Sequence, residues 1–141
     1  MVIERAYIVL ADGKIQPYML EPIPEPVVPS SITVTLVAQT NIPAFYVVTS
    51  KGYLADTTDY NTRNIIVGFS NAAALSGFEV KVIGSGTITN PAWSWTKGDK
   101  IFLNGAGNVS NIPPASTYSV ILGTATAPDT IDVNIQPSIL L

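Results

Sequence analysis

The chain has 141 residues, of which 47% are hydrophobic and only 12% charged, with a net charge of −3. The charged share is about half of the ~25% usual for soluble domains, and the length suits one domain. Cys and His are absent, which excludes disulfides, thiolate nucleophiles, histidine bases and the usual zinc or iron ligands. The seven Lys and Arg residues are never adjacent, so a nucleic-acid partner is not expected. No uncharged apolar run approaches the ~18–20 residues of a membrane span, so no membrane partner is expected either. A mean hydropathy of +0.34 with so few charges points to an oligomer or assembly that buries more surface than one chain can.

In chain order, the first apolar segments are ERAYIVL (4–10) and KIQPYML (14–20), joined through Asp12-Gly13, the strongest hairpin signal in the chain. Glu4 and Arg5 interrupt the apolar N-terminal stretch, so it does not read as a signal peptide. EPIPEPVVPS (21–30) carries Pro22, Pro24, Pro26 and Pro29 and reads as a stiff polyproline connector. A body spanning 31–141 follows, with predicted strands ITVTLVA (32–38), AFYVVTS (44–50), NIIVGFS (64–70), FEVKVIG (78–84), KIFLN (100–104), TYSVILG (117–123) and TIDVNI (130–135). NAAALS (71–76) hints at helix but is too short to hold one. These runs predict an all-β fold, a small β-sandwich or barrel with an N-terminal β-hairpin arm (1–20).

The body also aligns with itself. FYVVTSKGYLADTTDYNTRNIIVGFS matches DKIFLNGAGNVSNIPPASTYSVILGTA, placing Val48 on Leu103, Gly52 on Gly107 and Val67-Gly68 on Leu122-Gly123. A two-residue gap then sets FEVKV (78–82) on IDVNI (131–135). An internal duplication competes here with chance coincidence of Val, Ile and Gly in a β-rich chain.

Residues 67–137 carry a set of linked features: Val67-Gly68, Gly86-Thr87-Ile88, Trp93-Ser94-Trp95-Thr96-Lys97-Gly98-Asp99, Ile101-Phe102-Leu103, Pro113-Pro114, Leu122-Gly123 and Val133-Asn134-Ile135. This pattern resembles a small β domain of tailed-bacteriophage structural proteins, among them capsid decoration and cement proteins, head fibres, and tail-fibre or baseplate components. The resemblance implies a non-enzymatic virion protein made in the host cytoplasm, a homo-oligomer (a trimer) that contacts other virion proteins such as the major capsid protein. A tail location, with attachment or host-receptor glycan binding, is the alternative it implies. The first 30 residues take no part in the resemblance.

Trp93 and Trp95 are the chain's two tryptophans. On a strand over 91–96 they would share one face, where they could stack a sugar as a glycan platform or anchor a core or subunit contact. Their neighbours Pro91, Ala92, Ser94 and Thr96 supply few polar groups, which favours the anchor. Lys97-Gly98-Asp99 reads as a tight turn rather than an adhesion tripeptide. Asp56 and Asp59 form the one close carboxylate pair, too few oxygens for Ca²⁺ and better read as a solvated loop. No catalytic, cofactor-binding or metal-binding residues are expected. The candidate assembly interface is instead the hairpin's Tyr7, Ile8, Leu10, Tyr18 and Leu20, since an isolated two-stranded ribbon must bury a face on its own body or on a neighbour.

Overall fold

The computed structural model describes residues 31–141 in full and the backbone of Tyr7–Val9 and Ile15–Pro17. β1 (Tyr7–Val9) and β2 (Ile15–Pro17) pair antiparallel, with Ile8 opposite Gln16, as the Asp12-Gly13 signal predicts. Leu10, Tyr18, Leu20 and the proline-rich connector lie outside the described residues. In the body follow β3 (Ile32–Val37), β4 (Val47–Thr49), β5 (Ile66–Ser70), β6 (Glu79–Thr89) and β7 (Lys100–Leu103). Then come β8 (Val109–Ser110), β9 (Tyr118–Ser119), β10 (Ile121–Ala127), β11 (Thr130–Asn134) and β12 (Ile139–Leu140). A 3-10 turn over Tyr60–Thr62 is the helical element among the described residues, and none there is long and apolar enough to cross a membrane. The fold is all-β.

One 8-stranded sheet has the order β4-β5-β6-β11-β10-β7-β8, with β3 also paired to β6. It curls until its ends nearly meet. The Val47 N–H donates to the Gly107 carbonyl at 3.0 Å, Thr57 N–H donates to Gly105, and Asp56 bridges Ala106. Beside this barrel-like sheet, β12 and β9 form a small separate pair. The main core fills the barrel with Val47, Phe69, Ile101, Leu103, Tyr118, Leu122, Ile131 and Val133. A second core, Ala38, Ile42, Val48, Val80 and Val82, lies on the opposite face of β4 and β6. Adjacent residues Val47 and Val48 therefore point to different cores, and β4 is buried along its whole length, Thr49 included.

The sheet contains two three-stranded runs, β4-β5-β6 and β7-β10-β11, which meet at the antiparallel β6–β11 pair. Each half is a three-stranded meander with the same irregularity. Val48 faces Gly68 and Thr49 faces Ile66, and likewise Ile101 faces Gly123 and Phe102 faces Ile121, each pair of contacts spanning a bulge. Both glycines are forced by close approach, because a Cβ on Gly68 would run into the Ile83 carbonyl and one on Gly123 into the Asp132 carbonyl. The strand entrances match as well. Phe45 (φ 66) donates to Ser70 and Gly98 (φ 96) to Ala125, so an aromatic residue holds in one half the left-handed conformation that glycine holds in the other.

These contacts correct the sequence alignment in two places. Val48 bridges Leu54 across one turn as Leu103 pairs Val109 across the other, so the matched turns and the Gly52–Gly107 match hold, with φ of 81 and 75. Opposite the glycine strand, however, the partner of Val48 is Ile101, because β7 is two residues longer between turn and bulge. In the third strand, Val82 and Ile83 pair with the glycine strand as Ile131 and Asp132 do, not Phe78 as Ile131 does, although Val82 faces the second core and Ile131 the barrel. The alternating apolar pattern looks alike after any even shift, so periodicity did not choose between them. A further match escaped the alignment: Thr33-Val34-Thr35 pairs with β6 as Thr87-Ile88-Thr89 pairs with β11.

Candidate functional site

Trp93 and Trp95 do not stand on a strand. Asn90 turns the chain, its side chain accepting from the Ala92 N–H, and residues 93–96 run irregularly along the β10–β11 turn. There the Trp95 N–H donates to the Pro128 carbonyl at 2.8 Å. Both indoles are partly buried and pack on the main core. Trp93 meets Phe45 and Phe69 edge to face, at 5.7 and 6.2 Å between ring centroids. Trp95 lies 6.0 Å from Trp93 at an interplanar angle of 47°, so the rings offer no common plane. The Trp95 Nε1 is buried without a hydrogen-bond partner among the described residues. The following turn is tight, with Asp99 Oδ2 accepting from the Thr96 N–H and from Asn111 Nδ2.

The loop that links β4 to β5 builds a different feature. Asp56 Oδ1 accepts from both the backbone and the hydroxyl of Thr58, and Asp59 Oδ1 accepts from the Asn61 N–H, capping the 3-10 turn. Beneath them Thr62 Oγ1 accepts from the Asp56 N–H at 3.1 Å and lies 2.7 Å from the Tyr118 hydroxyl. That hydroxyl is 2.9 Å from the Asp56 carbonyl. Tyr118, fully buried, thus ties the loop of one half to the core of the other. Burial pushes its phenol above the ordinary tyrosine range. The Thr62 hydrogen bond pulls the other way, and Asp56 and Asp59 add smaller upward pushes.

This bracing leaves an open cleft of about 540 Å³ whose walls include Gln39, Lys51, Tyr53, Asp56, Asp59 and Asn61. Tyr53 is 51% exposed. The sequence reading singled out Asp56 and Asp59 but not Tyr53, Gln39 or Asn61, which only the tertiary fold gathers beside them. Among the described residues no group of three or more potential metal ligands occurs.

Apart from the cleft, large apolar side chains stand exposed at the end of β3 and on the turn before β6. Val37, Leu75 and Phe78 are 51%, 64% and 66% exposed. Backbone hydrogen bonds join their segments: Ala38 N–H to the Phe78 carbonyl, Gly77 N–H to Ala38, and Phe78 N–H to Leu75, while Val37, paired with Glu79, faces the other side of the sheet from Phe78. A shallow groove lined by Ile42, Pro43, Ala73 and Ala74 adjoins Leu75. Of the predicted interface residues, Tyr7 and Ile8 lie on β1, while Leu10, Tyr18 and Leu20 are outside the described residues. No family model, curated protein or solved structure matches the chain.

Proposed function

We propose that this protein is a non-enzymatic structural subunit of a tailed-phage virion. It decorates or cements the capsid as a homo-oligomer, a trimer, in contact with the major capsid protein. The observation that carries this reading is the exposure of Leu75 and Phe78, two large apolar side chains on one turn facing solvent, in a chain with few charges to keep copies apart. The phage-type pattern of residues 67–137 and the paired β1–β2 ribbon support it further. A virion subunit needs a stable scaffold and sticky faces more than a reactive centre, which agrees with a chain lacking Cys and His.

The test compares the intact chain with a Leu75→Asp/Phe78→Asp double variant by light scattering and by co-sedimentation with virions. The expected result is an oligomeric intact chain found on particles, and a folded variant that has lost oligomer formation or particle binding. A monomeric intact chain absent from purified virions would refute the reading. A tail-fibre or baseplate location with a host-glycan role is the second reading, favoured by the cleft beside Tyr53, which sets carboxylates and amides next to a half-exposed ring.

A further inference from the structure

In the two halves the stretches 55–65 and 110–120, which lead into β5 and β10, are equal in length, and the first of them lines the cleft. Counted from the matched turns, Tyr53, Asp56 and Asp59 correspond to Asn108, Asn111 and Pro114. The second half folds the same meander without an aromatic ring or a carboxylate at those positions. The meander itself therefore does not call for a ring and two carboxylates at these positions; Asp56 and Asp59 serve the turns of their own loop and leave Tyr53 beside them.

The lining decides what can enter. Asp56 and Asp59 repel an anion, Lys51 opposes a small cation, the amides of Gln39 and Asn61 would lose hydrogen bonds to water against a wholly apolar guest, and Leu54, Ile65 and the Tyr53 ring offer apolar surface that suits the C–H face of a sugar. What suits carboxylate acceptors, an ammonium donor, amides and a half-exposed phenol ring together is an uncharged ligand dense in hydroxyls. The phenol supplies a face for stacking, and the Thr62–Tyr118 contacts hold the loop in place before the ligand arrives. At about 540 Å³ the cleft falls within the ~300–1,000 Å³ of small-molecule sites. We infer that the cleft between Tyr53 and the Asp56–Asn61 loop binds a neutral saccharide, and that the tryptophan pair does not. This inference stands apart from the assembly reading, and either can fail without the other.

The experiment titrates the isotope-labelled intact chain with neutral mono- and disaccharides at millimolar concentrations and follows backbone amide shifts. Shifts that saturate and centre on Gln39, Tyr53 and Asn61 are expected. Tyr53→Ala should weaken binding by about tenfold or more with an unchanged melting temperature, and Asp59→Asn, which keeps the turn cap, should weaken it severalfold. No saturating shift with any of these sugars would overturn the inference. So would sugar shifts centred on Trp93 and Trp95, or shifts of the cleft amides with CaCl₂ and none with sugar.

Discussion

The half built from β4, β5 and β6 and the half built from β7, β10 and β11 solve one packing problem with different side chains. Both place a glycine where a neighbouring strand's carbonyl leaves no room for a Cβ, and both bulge at the same step. They differ where backbone sterics relax. Phe45 accepts a left-handed backbone because its ring packs on Trp93, whereas Gly98 adopts it freely in open space. The lesson is that backbone collisions constrain sequence identity more tightly than strand propensity does. Loops and entrances, where nothing collides, are free to diverge and to acquire chemistry.

The largest effect should come from the shared collision. Gly68→Ala and Gly123→Ala should each cost ~3 kcal/mol or more, or abolish soluble expression, because the obstacle is backbone and not a movable side chain. Gly98→Ala meets nothing within 4 Å and should cost only ~1 kcal/mol, from its positive φ. Chemical denaturation measures all three. A harmless Gly68→Ala beside a ruinous Gly123→Ala would break the equivalence of the halves.

Next in size is the aromatic cluster that joins the halves. Trp93→Ala removes edge-to-face contacts with Phe45 and Phe69 and should cost ~3 kcal/mol. Trp95→Phe deletes an indole N–H that has no partner among the described residues and should change stability by less than ~1 kcal/mol. Thermal melts of both variants sharpen the assignment: a fully stable Trp93→Ala protein would mean the cluster contributes nothing to joining the halves.

The smallest effect concerns Tyr118. Its phenol titrates higher in the fold than in the unfolded chain, so the unfolded state releases the proton first as pH rises. Its contribution is fully present below about pH 10, the unfolded value, and is lost progressively above it. The melting temperature should therefore fall on alkalinisation past that point, and less steeply in Tyr118→Phe. That variant should itself lose ~1 kcal/mol at neutral pH, since the Thr62 hydroxyl still donates to the Asp56 carbonyl. Parallel alkaline slopes in the two proteins would remove Tyr118 as the group responsible.

Much of this was legible in the residues themselves. Short β-branched and aromatic runs between glycine turns specify strands, the segments flanking Asp12-Gly13 do pair, and Gly52 marks a real turn, because local sterics act within a few residues. The tandem alignment was visible because Gly68 and Gly123 answer the same collision. Register was not, since alternation survives any even shift and only the opposing strand selects one. The extent of β6, through Gly84 and Gly86 to Thr89, was hidden because glycine reads locally as a turn, while pairing with β3 and β11 holds it extended. The tryptophans' spacing suggested a strand face, but an Asn90 turn and contacts with Phe45 and Phe69, distant in sequence, set their orientation. The cleft was the least legible feature. Gln39, Tyr53 and Asn61 carry no common pattern, and they meet only because closure of the barrel and the buried Tyr118 hydroxyl bring their loops together.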